Sequence, residues 1–370
     1  MKAAVWRGDR DPGRMRVETL RMPVPHAGEI LVKTKACGVC HTDLHCIKGE
    51  VPFPSPAVFG HEISGTVAAV GEGVTSVELG AKVVCSFIMP CGDCHFCHIG
   101  EEDTCTTFFQ KNRLKGTLYD DTTRLYTESG EPLAMYSFGG LAEYAVVPQT
   151  AVFPLPQEAE HMWTESAILG CAFFTAIGAV RNAARLVPGE SVCVIGCGGV
   201  GAGVIQIAKH MGASPVVAVD VSDNALALAR EMGADHTINS RHEDAIARIV
   251  EITGGLKVDV CFEVIGFKQT FEQAMNSVRD GGKACYIGIA DVNALAEVPI
   301  TQVVRRRISL IGSYGGRAST DMPALLAIFA AGGINAKAAI TKHFSLDESP
   351  AAYALMAAGK LPGRGLVVFD

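Results

Sequence analysis

The sequence predicts a two-domain α/β protein: a β-rich domain of short strands and loops, followed by a doubly wound parallel sheet covered by helices. Three observations predict it. The chain has 370 residues, more than one ordinary domain and enough for two at roughly 150 residues each. Its texture changes after Cys171, from Gly-, Pro- and β-branched-rich runs to an alternation of apolar strands with Ala-rich helices. A glycine pattern, Gly196-x-Gly198-Gly199-x-Gly201, stands where one such strand passes into one such helix.

In the first half, residues 29–34, 65–70 and 82–87 read as strands. Turn signals such as Val51-Pro-Phe-Pro-Ser-Pro and Gly71-Glu-Gly separate them. In the second half, strands are expected at 191–195, 216–219, 258–262 and 283–289, with helices at 200–211 and 224–232. Strands alternating with helices argue for a parallel sheet with both faces covered. Residues 1–171 are expected to form the first domain, 172–312 the second, and 313–370 a return to the character of the first.

Composition excludes several function classes. Hydrophobic residues make up 48% and charged residues 19%, which is enough to build a core and too apolar for a disordered chain. Thirty-two Lys and Arg against 39 Asp and Glu leave a net charge of −7, so a general nucleic-acid surface, which needs clustered positive charge, is not expected. The N-terminus lacks the apolar run of a signal peptide, and no stretch approaches the ~18 apolar residues of a membrane span. Nine of the 13 cysteines fall between Cys37 and Cys171, four of them within fifteen residues. That clustering points to metal ligation rather than disulfides, and the chain reads as cytoplasmic.

The glycine pattern has a physical reading. Gly196 makes a tight turn, Gly198 lets backbone approach a pyrophosphate, and Gly201 lets helix and strand pack closely. The helix N-terminus offers free N–H groups to the phosphates. Asp220, ending the next strand, is placed to accept hydrogen bonds from the adenosine ribose hydroxyls. The expected cofactor is NAD(H) on a Rossmann domain. A 2′-phosphate would meet Asp220 with like charge, and Val221-Ser222-Asp223-Asn224 supplies no cation to neutralise it.

Cys91-x2-Cys94-x2-Cys97-x7-Cys105 can close a tetrahedron of four thiolates around Zn²⁺, leaving no open position. His95 and His98 read as bystanders on that loop. Cys40, His61 and Cys171 are more scattered. Three N/S ligands with one open position suit a catalytic zinc, but spacing alone cannot join Cys171 to the other two.

Gly60-His-Glu, Cys40-His-Thr-Asp, the four-cysteine loop, the glycine pattern, Phe262-Glu-Val-Ile-Gly266 and Gly363-Arg-Gly365 together resemble the zinc-dependent alcohol dehydrogenases of the medium-chain dehydrogenase/reductase family, in order along essentially the whole chain. The resemblance implies a GroES-like catalytic domain and two zinc ions per chain. Cys40, His61 and Cys171 match the catalytic ligands, with Glu62 and Asp43 close behind the metal. Thr42 matches the hydroxyl that takes the alcohol proton, and His45 the outer end of a relay through the cofactor ribose. Thr175, Val200, Ile265 and Ile287 match positions lining the cofactor pockets, alongside Gly199 of the turn. His41 and Arg364 match positive groups near the pyrophosphate, with His41 standing where other members carry arginine. Phe87, Met135 and Tyr136 match substrate-channel positions. Residues 112–147 resemble the longer, dimer-forming members, so a homo-oligomer, dimer or tetramer, is expected.

The implied activity is reversible oxidation of a primary or secondary alcohol to an aldehyde or ketone, with NAD as hydride acceptor and a small-molecule substrate. The alternatives are a polyol or other secondary-alcohol dehydrogenase on the same scaffold, or a non-catalytic NAD-binding protein. The spacer from His45 to Phe59 is shorter than in the glutathione-dependent formaldehyde dehydrogenases, which disfavours their substrate. Arg305-Arg306-Arg307 reads as a solvated strand start. Cys37, Cys46, Cys85, Cys193, Cys197, Cys261 and Cys285 have no assigned ligand role.

Overall fold

The computed structural model describes residues 1–361 and 363–370. The chain divides into two compact units: Met1–Phe174 with Arg317–Ala331 and Ile340–Asp370, and Thr175–Gly316 with Gly332–Ala339. The first division falls three residues beyond Cys171, at Phe174. Residues 313–316, expected with the C-terminal return, group with the second unit, and so do residues 332–339. The reason is local: the Asn335 N–H donates to Gln206 Oε1 at 2.6 Å, inside the helix Gly199–His210.

The first unit is built on two sheets. One runs Val152–Pro154, Lys82–Cys85, Ile63–Val70, Glu29–Val39, Arg364–Val368, Ile340–Phe344, with Tyr144–Pro148 also paired to Glu29–Val39. The other runs Arg16–Thr19, Lys2–Trp6, Ala57–Val58, Pro132–Met135, Leu125–Tyr126. The long strand Glu29–Val39 is the organiser: it pairs antiparallel with Ile63–Val70 and with the near-terminal strand Arg364–Val368. Its end therefore delivers Cys40 beside residues from both the beginning and the end of the chain.

The second unit holds one six-stranded, wholly parallel sheet. The order is His236–Asn239, Val216–Asp220, Val192–Ile195, Val258–Glu263, Val278–Tyr286, Ser309–Gly312. In chain order this is 3-2-1-4-5-6, the doubly wound arrangement that binds ligands at the carboxyl ends of its strands. Val192–Ile195 is buried throughout, as a central strand covered on both faces must be. Cys193, Ile195, Val217, Val219, Ile249, Val258, Cys261 and Met275 form its core with their neighbours, which gives Cys193 and Cys261 an ordinary packing role.

Arg305-Arg306-Arg307 does not begin a strand. Arg305 and Arg306 end the helix Ile300–Arg306, and Arg307 caps it in the left-handed conformation, φ +54°. Basic side chains in a last helical turn meet the negative end of the helix dipole. Arg306 Nε also donates to Asp280 Oδ1 at 2.7 Å. The strand starts only at Ser309.

Candidate active site and metal centres

Cys40 leaves the strand Glu29–Val39 and stands in extended backbone (φ −120°, ψ 144°) immediately before the helix His41–Lys48. His61 precedes the strand Ile63–Val70, and Cys171 follows the 3₁₀ segment Glu165–Gly170. Close approach is what brings Cys171 in: a Cβ on Gly170 would sit 2.2 Å from the Cys85 carbonyl oxygen. The Phe87 N–H donates to the Gly170 carbonyl at 2.9 Å, so the segment lies against the end of the strand Lys82–Cys85. The Sγ atoms of Cys40 and Cys171 and a His61 ring nitrogen all lie within 4.8 Å of one another, on three buried residues. Sequence spacing could not join them; the fold does.

Behind these three groups stands a layer of carboxylates. His61 Nδ1 is 2.9 Å from Asp43 Oδ1, and the other Asp43 oxygen accepts from the Tyr353 hydroxyl at 2.5 Å. Such a partner orients the imidazole and leaves Nε2 as the ring's ligating atom once its proton is lost. His61 Nε2 is buried and makes no hydrogen bond, an orphan that a metal ion satisfies. Glu62 accepts the Ala172 N–H at 2.8 Å and pairs with Arg364. Arg364, matched by resemblance to a pyrophosphate contact, has a side chain only 5% exposed and engaged by Glu62.

The protonation of the three groups suits a cation. A hydrogen bond from Cys171 holds the Cys40 thiol well below its usual range, and the same bond pushes Cys171 well above it. Burial alone would lower His61, but the Asp43 and Cys40 charges outweigh it and push the imidazole up to about 10. These opposed shifts come from three polar groups crowded around one buried point, a crowding that a divalent ion would relieve.

Thr42 Oγ1 lies 3.4 Å from Cys40 Sγ, next to the cluster. His45, one helical turn further on, contacts Glu50 through Nδ1. Of the three proposed channel residues, Phe87 and Tyr136 reach the cluster, with ring centroids 5.9 and 5.4 Å from His61. Phe53, Phe59 and Phe174 extend this aromatic wall. Met135 turns its sulfur to the Arg124 N–H at 3.2 Å. The buried Arg113, missed in the sequence, lies over the rings of Tyr136, Phe87 and Phe108, 4.0 Å from the Tyr136 centroid; its position in a π-helical turn gave no periodic signal.

The four sulfurs of Cys91, Cys94, Cys97 and Cys105 also lie within 4.8 Å of one another. Backbone N–H groups of Cys94, Asp93 and Phe108 point at Cys91 and Cys105 Sγ at 3.3 to 3.5 Å. Against the cost of burial, hydrogen bonds from Cys97 and Thr106 bring the Cys94 thiol down to about 6. Donors aimed at sulfur suit thiolate ligands, and four thiolates make a closed site for zinc. The loop also anchors the helix Ala318–Ala330: Glu102 accepts the Ser319 N–H at 2.8 Å, and Arg317 Nε donates to Asp103 at 3.3 Å. Cys94→Ser should therefore leave less than one ion at this site and lower the melting temperature by about 5–15 °C, at roughly 2–4 °C per kcal/mol lost. Elemental analysis with calorimetry checks it.

In the second unit, Gly196 turns with φ +99°, where a Cβ would strike Ile265 at 2.6 Å, and a Cβ on Gly201 would sit 1.9 Å from the Gly196 carbonyl oxygen. A Cβ on Gly198 would meet nothing within 4 Å, so a cradle lies open in front of the helix Gly199–His210. Val200 stands in its first turn. Glu263 takes the N–H groups of Ile265 and Gly266 on its carboxylate, while its carbonyl takes Ile287 N–H at 2.8 Å. Ile265 and Ile287 thus stand side by side at the carboxyl ends of adjacent strands. Thr175 is buried at the start of the unit. Asp220 accepts N–H groups from Cys197 and Ser222 at 2.8 and 2.9 Å. Beside it, Val221, Ser222, Asp223, Asn224, Asn239, Arg241 and His242 line a polar pocket of about 380 Å³. The residues following Asp220 lack a cation, but the strand His236–Asn239 brings Arg241 to the same place. These features fit a dinucleotide.

Residues 26–157 match the family described as alcohol dehydrogenase GroES-like domain, and residues 199–331 the one described as zinc-binding dehydrogenase. An S-(hydroxymethyl)glutathione dehydrogenase of Escherichia coli O1:K1 / APEC is 34% identical over 355 residues, covering 94% of this chain and 95% of that protein. The structure of an alcohol dehydrogenase zinc-binding domain protein from Burkholderia ambifaria matches with a TM-score of 0.92 at 30% identity, covering 100% of this chain and 98% of that one. Benzyl alcohol dehydrogenase from Acinetobacter calcoaceticus matches with a TM-score of 0.91 at 27% identity, over 100% and 99% of the two chains.

Proposed function

The chain belongs to the zinc-dependent alcohol dehydrogenases of the medium-chain dehydrogenase/reductase family, and from that premise we propose that it oxidises apolar primary or secondary alcohols with NAD. The observation that carries this reading is the convergence of Cys40, His61 and Cys171, with His61 Nε2 buried and unbonded. Cys40, His61 and Cys171 would hold the catalytic zinc, and Cys91, Cys94, Cys97 and Cys105 the structural one. When bound, the zinc supplies Lewis acidity to an alcohol hydroxyl and NAD supplies a hydride acceptor.

The chain's own residues orient and move the proton. Asp43, itself held by Tyr353, keeps the His61 ring in place. Thr42 offers a hydroxyl 3.4 Å from Cys40 Sγ as first proton acceptor, and His45 is the outer acceptor on the same helix. Phe87 and Tyr136 exclude water from one side of His61. An aromatic wall of this kind favours aliphatic and benzylic alcohols over polyols, whose hydroxyls would lose hydrogen bonds on entering it. Following NADH formation with aliphatic, benzylic and polyol alcohols and S-(hydroxymethyl)glutathione tests the reading. Highest kcat/KM on polyols or on the glutathione adduct would overturn the substrate assignment.

Asp220 should confer about 100-fold preference for NAD over NADP, through lost ribose hydrogen bonds and like-charge contact. Asp220→Gly should shift the ratio of kcat/KM toward NADP. Arg241 then has a 2′-phosphate within reach of its pocket, so the shift should shrink when Arg241→Ala is added. Equal use of both cofactors by the unmodified enzyme would contradict this.

We assign a homo-oligomer assembled through the second unit. Its edge strand Ser309–Gly312 has one free side in the sheet, and Val292, Leu295, Val298, Ile300 and Val304 are exposed just before it. An open strand edge beside exposed apolar side chains is a ready template for a second copy. Leu295→Asp with Ile300→Asp should lower the mass seen by analytical ultracentrifugation. A cytoplasmic location fits the thiol ligands, which must stay reduced; no helix among the described residues is long and apolar enough to cross a membrane.

A further inference from the structure

The helix His41–Lys48 ends on Gly49, which adopts the left-handed conformation at φ +77°. That cap folds the chain back, so the Glu50 N–H donates to the His45 carbonyl at 2.9 Å and the Val51 N–H to the same oxygen at 3.2 Å. The side chain of Glu50 returns in the same direction and meets His45 Nδ1 with Oε2. One residue thus pins His45 at both its carbonyl and its ring. The other charged groups around this turn are His41 and Lys48 on the helix and Arg10, whose guanidinium lies against Gly49. Lys48 and Arg10 are cations with no acceptor to offer. Tyr353, from the helix packed on the other side, is engaged by Asp43.

We propose that Glu50 is a positioning residue of the proton path: it holds His45 as the Nδ1–H tautomer and so presents Nε2 as the proton acceptor. This rests on the alcohol dehydrogenase reading and on His45 as outer acceptor. An imidazole whose Nδ1 proton is held by a carboxylate has its free lone pair on Nε2, directed away from that carboxylate. Without Glu50, the ring is free to rotate and to adopt the opposite tautomer, in which Nε2 carries a proton and accepts none. Glu50 is 38% exposed on its side chain, so its replacement leaves the core untouched.

Two measurements on the full-length zinc enzyme test the assignment. In ¹⁵N-histidine spectra of the cofactor-free protein, the His45 signal, identified by its loss in His45→Ala, should show the Nδ1–H tautomer when neutral. Glu50→Ala should move it toward Nε2–H, and Glu50→Asp should keep Nδ1–H. In steady-state oxidation, Glu50→Ala should lower kcat roughly 10-fold, a part of the 10²–10⁴-fold that acid–base catalysis supplies, with KM for the alcohol unchanged. Glu50→Asp should restore most of kcat, and Glu50→Ala should have no further effect in a His45→Ala background. An Nε2–H tautomer in the unmodified protein would overturn the proposal, as would an equal loss in both backgrounds. If the unmodified enzyme forms no NADH from any alcohol, the dehydrogenase reading itself falls. If it does and Glu50→Ala matches it, the Glu50 assignment alone falls.

Discussion

Cys171→Ser should abolish alcohol oxidation and reduce the metal content from two zinc ions per chain to one, while leaving the protein folded. The residue contributes a sulfur to the buried trio with Cys40 and His61, and its hydrogen bond to Cys40 holds that thiol below its usual range. Serine is a close steric replacement, slightly smaller and more polar, but lacks the soft thiolate donor. Circular dichroism and elemental analysis check the two halves of the result; an active variant with two ions would refute the ligand assignment. Zinc removal carries a pH dependence of known sign. His61, raised to about 10, and Cys171, raised above its usual range, both hold protons at neutral pH in the stripped site. Reloading must release them, so apparent zinc affinity should fall as pH falls, by about tenfold per displaced proton for each unit. Affinity that does not change between pH 8 and 6 would show that those protons are not there.

Thr42→Ala is expected to cost between about 10²- and 10⁴-fold in kcat, the range of a lost acid–base group. Its hydroxyl stands 3.4 Å from Cys40 Sγ and is the one side-chain hydroxyl on the helix His41–Lys48. Thr42→Ser should recover most of the loss, because the hydroxyl returns. His45→Ala should be milder, most severe at low pH, and partly restored by small amine bases. Single-turnover NADH formation with a deuterated alcohol separates the proton step from hydride transfer. Full activity in Thr42→Ala would remove the residue from the proton path.

What could be read in the sequence follows the range of the interactions. The four-cysteine loop was legible because its ligands span 91–105 and close on themselves. The glycine turn was legible because Gly196 and Gly201 answer to sterics within one strand–turn–helix unit. Cys171 was not, since 110 residues separate it from His61 and only family resemblance joins them. Glu50 was missed although it lies five residues from His45: its role depends on a left-handed Gly49, which spacing does not announce. Arg241 was missed because the reading stopped at the residues adjoining Asp220, while the parallel sheet brings the next strand's end to the same pocket. The three arginines at 305–307 were misplaced because a non-glycine residue, Arg307, takes the left-handed cap.

The partners of the catalytic ligands come from the far end of the chain. Tyr353 reaches Asp43 across 310 residues, and Arg364 reaches Glu62 across 302. On the ribosome, Cys40 and His61 emerge long before either partner exists, and the strand Arg364–Val368 that pairs beside Cys40 is made later than both. The four-cysteine loop, by contrast, can close on its ion while synthesis continues. The ligands and partners of the two proposed zinc sites therefore become available at different points of synthesis. A chain stopped between Cys105 and Tyr353 would carry all four sulfurs of the loop, but an Asp43 with no Tyr353 to hold it against His61.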